Sequence, residues 1–70
     1  MRTYAAREVM AALRRAGFEV VSQRGSHVKL RNEDGRTVIV PDHREIARGT
    51  MRSILRQAGL SAEEFEQLAK

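Results

Sequence analysis

The sequence predicts an α+β fold in the order α-β-β-β-α: a three-stranded antiparallel sheet packed on two helices, with a short C-terminal helix added. Three observations predict it. An apolar stripe at helical spacing opens the chain, three strand-like stretches joined by short turns follow, and a second helical stripe comes after a polar loop. Seventy residues leave room for one core, so residues 1–70 are expected to form a single domain.

Thr3 is placed to cap a first helix from about Tyr4 to Ala16, with Gly17 ending it. Ala5, Val9, Ala12, Leu13 and Ala16 keep the i, i+4, i+7, i+8 spacing of one buried face. The period then drops to two. Phe18–Gln23 reads as a first strand, and His27-Val28-Lys29-Leu30-Arg31 alternates strictly between polar and apolar. Asn32-Glu33-Asp34-Gly35 is a turn, with Asp-Gly its strongest signal. Arg36–Val40 returns as a third strand, which Pro41 is expected to stop, and connections this short make the meander antiparallel.

A polar loop from Pro41 to Gly49 carries His43, Arg44 and Arg48. Thr50 is placed to cap a second helix, whose apolar residues Met51, Ile54, Leu55 and Ala58 fall on one face, and Gly59 closes it. Ser61-x-x-Glu64 is a capping box for the final helix. Two helices cover one face of a small sheet and leave the other open. Val28 and Leu30 share one face of the second strand, so His27, Lys29 and Arg31 share the other and project from the open side.

The formal charge is +4, and eleven of the thirteen basic residues are arginine. Residues 1–60 hold twelve Arg and Lys against six acids, whereas residues 61–70 hold one lysine against three glutamates. Arginine offers a planar fork of donors to phosphate, so a basic body with an acidic end suits a polyanion such as RNA. The plainer alternative is a solvated basic surface. There is no cysteine, which excludes disulfides and thiolate metal sites. No apolar run is long enough for a membrane span and the N-terminus has no signal-peptide core, so the expected location is the cytoplasm.

The chemistry concentrates at Arg24-Gly25-Ser26-His27. Histidine has an unperturbed pKa of about 6.5, so it gives or takes a proton near neutral pH with little tuning. Cleavage of RNA needs a base at the 2′-hydroxyl, an acid at the leaving oxygen, and positive or N–H groups on the phosphate. His27 suits one proton transfer, and backbone amides around Gly25 and Ser26 suit the phosphate, because glycine lets the chain approach closely. Arg24, Lys29 and Arg31 suit the flanking phosphates. The plainer reading is a Gly-Ser hairpin turn followed by an exposed strand histidine. His43 is a second candidate whose distance from His27 is open. The two histidines with Asp42 or Glu45 form no recognised ligand spacing, so neither metal nor cofactor is expected.

Three blocks together resemble a known family: Arg24-Gly25-Ser26-His27, then Val40-Pro41-Asp42-His43, then Gly49-Thr50-Met51-Arg52-Ser53-Ile54-Leu55-Arg56-Gln57-Ala58-Gly59-Leu60-Ser61. They look like the signature of the HicA (YcfA-like) mRNA interferase toxins, and the resemblance covers nearly the whole chain. It implies a fold similar to the double-stranded RNA-binding domain and metal-independent endonucleolytic cleavage of mRNA. The catalytic role falls on His27, with Gly25 and Ser26 beside it. It also implies a HicB-type antitoxin that covers the catalytic face. The chain departs from the family at Leu30, where an aromatic three residues after the histidine is common. If that aromatic positions a base, RNA binding changes; if it belongs to the core, leucine replaces it at modest cost. Two other function classes remain open: a non-catalytic RNA-binding module on the same scaffold, and a protein-interaction domain whose basic face meets an acidic partner.

Overall fold

A computed structural model describes residues 1–70 and contains α1 (Ala6–Arg15), β1 (Glu19–Arg24), β2 (His27–Arg31), β3 (Thr37–Pro41), α2 (Arg48–Ala58) and α3 (Ala62–Leu68). The sheet is antiparallel in the order β1-β2-β3, so β2 is central and has a partner on both sides. The α+β expectation, its element order and the central strand's bounds all agree with this structure.

Helix α1 buries Ala6, Val9, Ala12 and Leu13. It begins later than expected, and Thr3 does not cap it: Ala5 holds the N-cap position, and the Thr3 hydroxyl donates instead to Glu45 Oε2 at 3.3 Å. Half of a capping box takes the hydroxyl's place, with the Glu8 carboxylate accepting the Ala5 N–H at 2.9 Å. That bond and the Arg2 guanidinium at 2.9 Å hold the Glu8 carboxyl below the usual range, the guanidinium having the larger effect. Tyr4 lies just outside the helix and forms an isolated bridge with Ile46, which ties the N-terminus to the loop after the sheet.

The strands divide by face as the alternation dictates. Val28 and Leu30 on β2 and Val38 and Val40 on β3 are buried toward the helices. Pro41 does not stop β3 but ends it as the partner of His27, a position at the sheet's edge that needs no ladder donor. Strand β1 starts at Glu19 rather than at Phe18, which is buried in the core instead. Every residue of β1 is exposed, because the helices pack over β2 and β3. The register shifts between Val20 and Ser22, so Val21 is the extra residue of a β-bulge.

Helix α2 begins at Arg48 with Ala47 as N-cap, so Thr50 lies inside the first turn rather than capping it. The helix lies along the β3 edge. Gln57 Oε1 accepts the Ile39 N–H at 2.8 Å, and Gln57 Nε2 donates to Ser53 Oγ at 3.2 Å. One side chain therefore covers part of an edge that would otherwise offer free donors to another strand. Gly59 ends α2 at φ 72, and a Cβ there would lie 2.8 Å from Arg36 Cζ. Ser61 caps α3 through the expected capping box, whose bonds, the Ser61 backbone N–H first, lower the Glu64 carboxyl's pKa. Phe65 anchors α3 in the core, its ring edge-on to Tyr4 at 5.0 Å and 83°. The core holds sixteen buried residues, all apolar, with no buried polar side chain left without a partner.

Candidate functional site

A two-residue loop, Gly25-Ser26, joins β1 to β2, with Arg24 and His27 paired directly across it. Gly25 has φ 60 and Ser26 does not have a positive φ, the pattern of a type II′ hairpin turn. Turn geometry thus explains the glycine. The N–H groups of Gly25 and Ser26 donate to no protein atom, while the Ser26 carbonyl accepts the Asp42 N–H at 2.6 Å. The loop therefore presents two free donors beside the histidine.

Cross-strand partners share a face, so the open face carries Glu19, Ser22 and Arg24 from β1, His27, Lys29 and Arg31 from β2, and Thr37, Ile39 and Pro41 from β3. His27, Arg24 and Arg31 are exposed and Lys29 is half-buried among its neighbours. The molecule's one ion pair joins Arg2 to Glu8, so Arg24 and Lys29 form no ion pair, whereas Arg31 has Glu19 directly across from it. Strand rise of about 3.3 Å per residue puts Arg31 roughly 13 Å from His27. Arg31 lines a separate hollow with Arg14, Glu19 and Glu33. The structure therefore brings Arg24, Gly25, Ser26, His27 and Lys29 together and leaves Arg31 at the far end.

Leu30 is fully buried on the helix side of the sheet. A side chain at this position faces the core and cannot reach a base on the open face. Leucine in place of an aromatic is a packing change.

His43, whose distance from His27 the sequence left open, borders the same depression as His27. Both line one shallow, open depression between the end of the sheet and the N-terminal half of α2, together with Pro41, Glu45, Thr50 and Ser53. Its loop is tied down at both ends. The Asp42 N–H bonds to the Ser26 carbonyl, the His43 N–H to Pro41 at 2.8 Å, and the His43 carbonyl accepts the Ala6 N–H at 3.0 Å. Helix α2 has no side-chain cap and no acid in its first turn, so its free N–H groups give that end of the depression a positive character. Thr50, Ser53 and Gln57 follow i, i+3, i+7 spacing beside the apolar stripe, a polar seam that helical spacing could have revealed. No three His, Cys, Asp or Glu side chains converge as a metal-holding group.

The arrangement can hold an anionic backbone across an open basic face, with two imidazoles at one end of it. A family model described as the HicA toxin of bacterial toxin–antitoxin systems matches residues 6–60, which include the turn, both histidines and all of α2. No curated protein matches the chain.

Proposed function

The chain belongs to the HicA toxin family of bacterial toxin–antitoxin systems, and on that premise we propose that it acts as a metal-independent endoribonuclease that cleaves mRNA and blocks translation. His27 serves as a general acid or base. Arg24 and Lys29 bind phosphates next to the scissile bond, Arg31 binds one further along the strand, and the free amides of Gly25 and Ser26 hold the phosphate nearest the histidine. The observation that carries this reading is the exposed His27 on an open face where Arg24 and Lys29 beside it form no ion pair. A single-stranded substrate is the reading this surface supports, since a sheet face with a histidine at its loop end suits unpaired nucleotides that can be splayed over it.

The family implies an antitoxin partner. We propose a HicB-type protein that covers the open face, supported by the apolar surface beside the cations, where Ile39 lies across from Lys29 and is 36% exposed. No helix is long and apolar enough to cross a membrane, and a ribonuclease of this kind works where mRNA is, in the cytoplasm. Expression from an inducible promoter tests the toxin and its histidine together. The wild type arrests growth, His27→Ala does not at equal protein level, and co-expressed antitoxin restores growth. Arrest by both variants would remove His27 from the mechanism.

A further inference from the structure

We propose that His43 is the second proton-transfer group of the same site, so that His27 and His43 share the acid and base work of RNA cleavage. The proposal rests on the ribonuclease reading above. In-line cleavage without a metal requires two proton movements. A base takes the 2′-hydroxyl proton as the 2′-oxygen attacks the adjacent phosphorus. The bond from phosphorus to the 5′-oxygen then breaks, and an acid gives that oxygen a proton. The products are a 2′,3′-cyclic phosphate and a free 5′-hydroxyl. The base has gained one proton and the acid has lost one, and water restores both. A single imidazole cannot be protonated and deprotonated at once, so His27 needs a partner.

The chain has two histidines and no cysteine, and both histidines line one depression. Neither imidazole makes a hydrogen bond within the protein, which leaves the ring nitrogens of each free to meet a substrate. Both side chains are exposed, so a substrate can reach them. The backbones beneath them are fixed. His27 sits in the central strand next to a two-residue turn, and the His43 loop is joined to that same turn by the Asp42–Ser26 bond. A proton-transfer group needs such support, because misplacement by even 1 Å costs a large part of the rate. The charged groups around the pair are Arg24 across from His27, Lys29 on the same strand, Glu45 in the depression, and Arg7, Asp42 and Arg44 on the far side of His43. Glu45 is bonded to the Thr3 hydroxyl, and Gln57 is engaged with Ile39 and Ser53. The imidazole of His43 is therefore the proton-carrying group in the depression, besides His27, that no hydrogen bond engages.

The test is single-turnover cleavage of one single-stranded RNA in EDTA by wild type, His27→Ala, His43→Ala and His43→Asn, across about pH 5 to 9. Each variant is checked for folding by circular dichroism; His43 is exposed, so its loss should leave the fold intact. The same RNA is then made with sulfur in place of the 5′-oxygen at the mapped cleavage position, since a thiolate leaves without a proton. The proposal expects both His43 variants to lose about 100-fold or more. It also expects a bell-shaped wild-type profile that loses one limb in each single mutant. The sulfur substrate should restore one of His27→Ala and His43→Ala, identifying the acid, and not the other. His43 variants within threefold of wild type, or rescue of neither alanine variant, would overturn the pairing while leaving the ribonuclease reading in place. No cleavage by the wild type would instead overturn that reading and the pairing with it.

Discussion

Substituting Gly25 separates its two possible duties, bending the chain and admitting a phosphate. Its φ of 60 suits glycine, and a Cβ built there meets nothing within 4 Å, so the penalty for alanine is purely conformational. That strain is about 1–2 kcal/mol for an L-residue. The strand could relieve it by slipping one residue, which would turn His27, Lys29 and Arg31 inward. Slipping would expose Val28 and Leu30, which are 3% and 0% exposed, and burying each is worth about 1.5–3 kcal/mol. The two together outweigh the strain, so the register holds and Gly25→Ala lowers the melting temperature by roughly 4–16 °C. D-alanine, which accepts positive φ, restores stability, and a chain of 70 residues is within reach of chemical synthesis. Thermal denaturation followed by circular dichroism, with cross-strand NMR contacts between Arg24 and His27, reads both effects. Equal stability of the L- and D-alanine proteins would refute the turn account. If D-alanine restores stability but not cleavage, the phosphate approach is the glycine's second duty.

Two further predictions concern the frame that holds the site. Phe65 is fully buried against Tyr4 although α3 has only seven residues, so Phe65→Ala should cost about 3–5 kcal/mol in urea denaturation. A loss below about 1 kcal/mol would show that α3 is an appendage to the domain. Glu8 and Glu64 both have lowered folded-state pKa values. Their contribution is present above the ordinary glutamate value of 4.5 and is lost as pH falls below it through the lowered values. The melting temperature should therefore drop on acidification from about pH 5 to 3, less steeply in the Glu8→Gln/Glu64→Gln protein; identical slopes would remove both carboxylates from the acid limb.

The parts of the fold legible in the sequence are those fixed by neighbours in the chain. Strict alternation from His27 to Arg31 set which side chains face outward, and the Ser61-x-x-Glu64 pattern produced the cap it encodes. Sequence alone could not assign groups whose partners are distant. Thr3 reads as a cap, yet its hydroxyl finds Glu45 forty-two positions away. Thr50 reads as a cap as well, but the helix starts earlier from Ala47, without a side-chain acceptor. Val20 alternates like a core residue and remains exposed because no helix extends over β1. In the site, Arg24, His27 and Lys29 share a face as strand parity requires, whereas the depression that His27 shares with His43 depends on a loop bonded to Ser26, which no local pattern announces.

The central claim is that His27 is the chemical centre of a metal-independent ribonuclease. The most direct measurement is incubation of purified protein with single-stranded mRNA in EDTA, beside His27→Ala, with RNA binding followed in parallel. The account predicts cleavage by the wild type alone and comparable binding by both. Equal cleavage by the two proteins, or binding without cleavage by either, would contradict it.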